Sequence, residues 1–287
     1  MLSSLAGVLF DGFAYGMLLF LLSVGLSVTL GMMNFVNLAH CSFAMVGGYA
    51  TVTLVNKLGW PFLATLPVAF IAAALLSIPL ERILYRRLYR ATDLDQCLLT
   101  IGIVFISVAA FAWFYSTEQQ STQVPGWLQG SVHFGGLSFA AYRIFLIFTA
   151  LLITGLLIWG LEYTRFGAQV RAAVDNQRMA RGLGIDVDRA FMFTFALGGG
   201  LAGLGGALAI QMVGLDPTFA LSYLVYVLIV VAVGGLGSIG GSFAAATVLG
   251  ISDMAGKYYF PWLGAFLIYL VMVALLMWRP MGLFGRR

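Results

Sequence analysis

Residues 162–189 read EYTRFGAQVRAAVDNQRMARGLGIDVDR, a charged, helix-prone island. About 20 apolar residues flank it on either side, the length that a membrane-crossing helix needs. The island holds about a third of the chain's charged residues, among them Arg165, Arg171, Arg178, Arg181 and Arg189. An arginine-rich connection between two crossing helices belongs on the cytoplasmic face. Its middle has helical spacing. Arg171, Asp175 and Arg178 share one face, Ala172, Met179 and Leu183 an adjoining one, and Gly182 and Gly184 supply the stop. A short helix on the inner face of a membrane protein is a docking device for a soluble partner that pushes on it.

Composition agrees. Of 287 residues, 61% are hydrophobic and 9% charged, with mean hydropathy +0.99, which excludes a soluble globular domain. The apolar runs are long and continuous, so they are helices rather than alternating barrel strands. Candidate spans are 5–30, 37–56, 61–80, 97–115, 142–161, 190–213, 221–235, 242–256 and 262–278. The fold expected is an all-α, polytopic helical bundle of about 8–9 transmembrane helices with broken or re-entrant segments. One domain covers 1–287, and its first helix is retained, because the N-terminus lacks the basic region of a signal peptide.

The segments 81–96, 162–189 and 279–287 together contain twelve of the fifteen basic residues, leaving Lys57, Arg143 and Lys257 near the other ends of the spans. By the positive-inside rule these three segments face the cytoplasm. With nine spans the N-terminus is outside and the C-terminus inside. The net charge of +4 reflects this bias and gives no case for nucleic acid. Cys41 and Cys97 lie in apolar context and read as two small buried hydrophobes.

Two inner turns carry no acidic, Lys or Arg side chain: GMMNFVNLAH at 31–40 and GGLGSIGG at 234–241, each followed closely by Ser-Phe-Ala. Polar residues that enter a membrane helix face the protein interior or a water-filled path. Asn34, Asn37 and His40 in the first turn, and Gly237 and Gly240 in the second, are therefore the candidate substrate pathway. Asn37 is equally a candidate N-cap for the helix over 37–56. The glycines of the helix over 190–213 suit close helix packing, or a helix that moves against its neighbours. Asp253, the one acidic residue well inside a late helix, reads as a functional intramembrane acid or, with Lys257 four residues on, as a helix-end ion pair.

Gly235-Leu-Gly-Ser-Ile-Gly240 matches GxGxxG, but its flanks are membrane-like and no strand–helix unit surrounds it. Gly250…Gly256-Lys257 is one residue too long for a P-loop and continues with Tyr258. No catalytic constellation is present, and His40 has no second ligand nearby for a metal.

In order along nearly the whole chain, several motifs resemble the permease family of the branched-chain amino acid (LIV-type) ABC transporters. They are Asp11-Gly12…Gly16…Gly25; Asn37-Leu-Ala-His40-Cys41, with Cys41 where the family has glycine; Gly47-Gly48-Tyr49; Gly167-x-x-x-Arg171-Ala172; Asp216-Pro217; 234–241; and Arg279-Pro280-x-Gly282. The resemblance implies a transport subunit, not an enzyme, in a bacterial inner membrane. It implies a second homologous permease chain as heterodimer partner, two ATPase subunits that hold the ATP and magnesium, and an extracytoplasmic substrate-binding protein. Residues 168–184 then correspond to the coupling helix, with Arg171, Asp175, Arg178, Met179 and Arg181 facing an ATPase. Branched-chain amino acids fit spans with few fixed charges; urea and short amides fit as well. A secondary transporter is the alternative class, and it would need ionisable residues within its spans; only Asp11 and Asp253 qualify, both near span ends.

The orientation has a direct check. With Cys41 and Cys97 replaced, a cysteine at Gln120 is labelled by an impermeant thiol reagent on intact cells, and one at Asn176 is not. The reverse pattern overturns the orientation.

Overall fold

Backbone polar groups inside a bilayer have no water to bond, so apolar runs this long satisfy them as helices. The computed structural model, which describes residues 2–33, 35–89, 91–134 and 137–285, is helical throughout its apolar runs. In chain order it contains α1 (Leu2–Met33), α2 (His40–Asn56), α3 (Phe62–Leu80), a π-helical turn (Glu81–Tyr85), α4 (Arg86–Leu88), α5 (Asp93–Tyr115) and α6 (Gly126–Gln129). There follow a hairpin of β1 (Ser131–Phe134) and β2 (Leu137–Ala140), α7 (Ala141–Tyr163), α8 (Arg165–Asp175), α9 (Gln177–Gly182), α10 (Val187–Val213), α11 (Phe219–Gly234), α12 (Ile239–Tyr259) and α13 (Gly264–Trp278).

Each expected apolar segment coincides with one of the longer helices. Among the described residues, five segments are long and apolar enough to cross a membrane: 4–31, 62–88, 93–115, 141–163 and 187–213. They occupy different layers. α1 and α10 form the interior, whereas only 11% of the apolar window of α5 is buried. Leu94, Leu98, Phe105, Ile106, Trp113 and Phe114 of α5 are exposed, an apolar surface suited to lipid.

Glycine sets how closely the interior helices approach. α1 runs along α12, and α10 lies between α2 and α3. A methyl group at Gly16 would fall 2.6 Å from the Ala246 carbonyl oxygen, and one at Gly12 2.6 Å from the Ile251 Cα. Gly47 meets Gly203, Gly206 meets the Ala44 carbonyl, and Gly25 meets the Gly198 carbonyl. Apolar side chains gain little by leaving lipid for another helix, so this backbone contact carries the packing.

The two ends of the bundle differ. At one end α1 finishes beside the α11–α12 turn, and the C-terminal tail pairs with that turn through Leu283 N–H to the Val233 carbonyl (2.7 Å) and Phe284 N–H to the Gly234 carbonyl (3.2 Å). The basic segments gather here. At the other end, residues 116–141 cover the helix ends: Asn56 donates to the Ser121 carbonyl at 2.9 Å, Gln120 bridges to Leu215, and Phe10 packs on Phe139.

Two local expectations need correction, and residues 116–141 add an element. α2 begins at His40, not 37, because Asn37 Oδ1 accepts the Ala39 N–H (3.1 Å) in a turn before the helix, and the cap position is Ala39. Residues 116–141 contain a hairpin, with Val132 paired to Phe139 and His133 to Ser138. The island is two helices. At Asn176 the backbone is extended (φ −155°, ψ 96°), and its side chain caps α9 by accepting the Met179 N–H at 3.0 Å. The break separates Arg171 and Asp175 from Arg178, which therefore share no continuous helix face.

Gly16→Ala should destabilise the detergent-solubilised protein by about 1–3 kcal/mol, the usual cost of overpacking. Gly155→Ala, at an exposed α7 position with open space around it, should leave stability unchanged or slightly raised. Thermal unfolding followed by size-exclusion chromatography distinguishes the two.

Candidate functional site

The break between α1 and α2 is enclosed in protein. Phe35 is buried against Tyr85 (5.1 Å between ring centroids) and Tyr89 (5.7 Å), on the π-helical turn and just after α4. Val36 N–H donates to Gln96 Oε1 (3.0 Å), while Gln96 Nε2 donates to the Leu88 carbonyl (3.1 Å). Gln96 thus meets both the polar requirement of the break and that of the end of α4. Of the three polar candidates in this break, Asn34 lies outside the described residues. Asn37 is 2% exposed and His40 1%. His40 Nε2 lies 3.1 Å from the Leu22 carbonyl and packs beside Gly25. In this conformation neither Asn37 nor His40 lines an open cavity.

The second break abuts the first helix. Gly237, with φ +77°, rests on Gly31, so a side chain there would be strained and would lie 2.7 Å from the Gly31 Cα. Ser238 caps α12 by accepting the Gly241 N–H (3.0 Å). Ser242, one turn on, donates to Ser27 of α1 (2.9 Å). Gly240 faces open space. The structure thus brings Gly237 to the end of the helix that leads into the first break, with Gly240 free beside it.

The coupling candidates lie at the same end. Thr164 caps α8 by accepting the Gly167 N–H (3.2 Å), and Gly167 is pressed onto the Leu161 carbonyl. Ala173, Ala180, Val187 and Phe191 form a small buried cluster with Met33 and Tyr89 against it. This holds the inner faces of α8 and α9 on the bundle. Their outer faces are exposed: Arg171, Asp175, Arg178, Met179 and Arg181 all face out, as does Leu183 beyond α9. Asp188 joins two basic segments, pairing with Arg181 (3.0 Å) and with Arg86 of α4.

Gln96 and Asp188 carry more of this end than sequence reasoning assigned to them. A glutamine at a span's start and an acid among arginines were the signals available. Among the described residues no three His, Cys, Asp or Glu side chains group as metal ligands. Cys41 is buried, and it and Cys97 are free thiols.

Residues 8–276 match the model of the branched-chain amino acid transport system permease component. The chain belongs to this family. The probable branched-chain amino acid transport permease protein LivH of Methanocaldococcus jannaschii is 29% identical over 94% of this chain and 90% of its own length. The high-affinity branched-chain amino acid transport system permease protein LivH of Escherichia coli K12 is 25% identical over 97% and 94% of the two chains. LivM of the same organism, named as a permease protein of the same system, is 26% identical over 93% of this chain and 68% of its own. No solved structure matches. A permease with this many apolar helices is a multi-pass membrane protein, and its relatives are transport subunits.

If Gly237 only lined a pathway, Gly237→Val would block transport with little loss of assembly. The contact with Gly31 and the positive φ change that expectation: Gly237→Val should lower the yield of folded protein severalfold, through strain of order 1–3 kcal/mol. Gly240→Val, in open space, should keep a normal yield. Fluorescence-detected size-exclusion profiles of both variants make the comparison.

Proposed function

We propose that this chain is the membrane-embedded permease subunit of an ABC importer that moves branched-chain amino acids, or a similar small net-neutral solute, into the cytoplasm. The observation that carries this reading is the α8–α9 pair. It is anchored on one side, and on the other it exposes Met179 (68%) and Leu183 (81%) among arginines. Apolar side chains ringed by charge on an otherwise lipid-suited protein form a docking surface for a soluble partner. In the family context that partner is an ATPase, which supplies the ATP and magnesium that this chain has no motif to hold.

The nine longer helices then cross the membrane with the N-terminus outside and the C-terminus in the cytoplasm of a bacterial inner membrane. The arginine-rich end faces inward, and the end covered by residues 116–141 meets a substrate-binding protein. Similarity to both LivH and LivM of one organism supports pairing with a second, homologous permease chain. The two breaks, with Asn34, Asn37, His40, Gly237 and Gly240, form the inner gate. Urea or a short amide is the alternative cargo of the same importer.

The docking surface gives the test. Arg181 is held by Asp188, so the charge to reverse is that of Arg178, together with its neighbour Met179. Arg178→Glu with Met179→Glu should leave the permease in the membrane, abolish co-purification of the ATPases, and reduce ATP-driven leucine uptake to background. Normal uptake by the double variant removes the coupling assignment.

A further inference from the structure

An apolar groove of about 380 Å³ opens on the outside of the bundle. Leu197, Leu201 and Leu204 of α10 line it together with Leu156 and Gly160 of α7 and Phe70 of α3. On α7 the lining runs from Ile153 to Thr164, about 16 Å of helix. The groove therefore extends from mid-span to the basic end. Trp159 and Tyr163 are exposed there (62% and 76%), as aromatic side chains at a headgroup boundary are. This volume over this length suits one extended hydrocarbon chain rather than a helix about 10 Å across.

Two further observations point to the occupant. A methyl group added at Gly160 meets no atom within 4 Å, so no contact inside the chain requires glycine there. Glycine within a helix is destabilising relative to alanine, and one of its uses is close approach of backbone to a ligand. The second observation is charge. Thr164 and Phe166 line the groove's inner end, and Arg165 between them is exposed and makes no ion pair among the described residues. Arg171 donates to the Glu162 carbonyl at 3.4 Å, which brings a second guanidinium to this corner against the single acid Glu162. An apolar slot with a net positive rim at headgroup depth is complementary to an anionic lipid.

We propose that this groove binds one acyl chain of an anionic phospholipid of the inner leaflet, with the headgroup phosphate on Arg165. The chain covers Gly160 and packs on α10 along the strip that α3 and α7 leave open. The site needs only a multi-pass membrane protein whose basic end lies at a bilayer surface, so it stands or falls apart from the importer reading.

The test uses the full permease complex in phosphatidylcholine nanodiscs. A small fraction of the lipid is phosphatidylglycerol or phosphatidylcholine with a diazirine within one acyl chain. After illumination and proteolysis, mass spectrometry compares lipid adducts on the groove residues of α7 and α10 with adducts on the exposed face of α5, around Phe105 and Ile106, which reports casual lipid contact. Phosphatidylglycerol should label the groove about fivefold more than phosphatidylcholine does, the preference that one arginine near a headgroup supplies. The two lipids should label α5 alike. Arg165→Gln should remove the preference at the groove. Gly160→Leu, which fills open space, should reduce groove labelling to the α5 level. Equal labelling of the wild-type groove by the two lipids overturns the proposal, as does undiminished groove labelling in Gly160→Leu. Groove labelling below that of α5, the result if a second permease chain covers this face, overturns it too. Where Gly160→Leu yields no folded complex, the two lipids compared on wild type and on Arg165→Gln decide the matter.

Discussion

Contact between helix backbones at glycine is the constraint on which the rest of this structure depends. Lipid solvates leucine as well as a neighbouring helix does, so the bundle cannot rely on apolar burial as a soluble protein would. It relies on shape. α1 and α10 each meet two or more partners at positions without a side chain: Gly16 and Gly25 on α1, Gly203 and Gly206 on α10. The crossing of Gly25 on Gly198 fixes α1 against α10, and α2 and α12 are then seated on that pair. Both breaks are consequences. Irregular backbone survives at membrane depth only when protein encloses it or it faces water, and Gly31 against Gly237 seats the second, partly exposed break alongside the end of α1.

The same end connects the first break to the α8–α9 pair. The buried cluster beneath α8 and α9 includes Met33, the last residue of α1, and Tyr89, which packs on Phe35 in the first break. Asp188 ties α9 to α4 and sits at the start of α10. A force applied to the exposed face of α8–α9 therefore reaches the first break through Met33 and Tyr89, and α10 through Asp188. In the importer reading this is a short mechanical path from an ATPase to the gate, built from packed side chains and one bifurcated ion pair.

Much of this was legible in the sequence, because it depends on long-wavelength features. Helix existence and order follow from apolar runs, and the gathering of basic segments at one end follows from arginine placement. The Asp253–Lys257 pair was visible from its spacing alone. What the sequence hid was local competition for hydrogen bonds. Asn37 could cap a helix from its first position or close a turn before it, and the turn won because Ala39 N–H lies within reach of its side chain. Asn176 sits in a helix-favouring stretch, yet its backbone is extended and its side chain accepts the Met179 N–H, starting a new helix. Gln96 was unremarkable in sequence; its role depends on Val36, sixty positions earlier. The burial of Asn37 and His40 likewise depends on which helices close over them.

Charge is arranged to opposite effect at the two ends. At the hairpin end each basic side chain is answered: Arg143 by Asp11, Lys257 by Asp253, and Lys57 by the face of Tyr115. At the other end Arg86 and Arg181 share one acid, and Arg165 and Arg178 make no ion pair among the described residues. Two of the three bases there are paired with acids, which leaves that end with little net charge. A surplus of unpaired arginine at the opposite end is the charge pattern that the positive-inside rule associates with a cytoplasmic face. It also leaves positive charge free to meet an acidic partner surface. In the importer reading, one asymmetry of charge thus serves both orientation and docking, and neither needs a charged residue in the middle of a span.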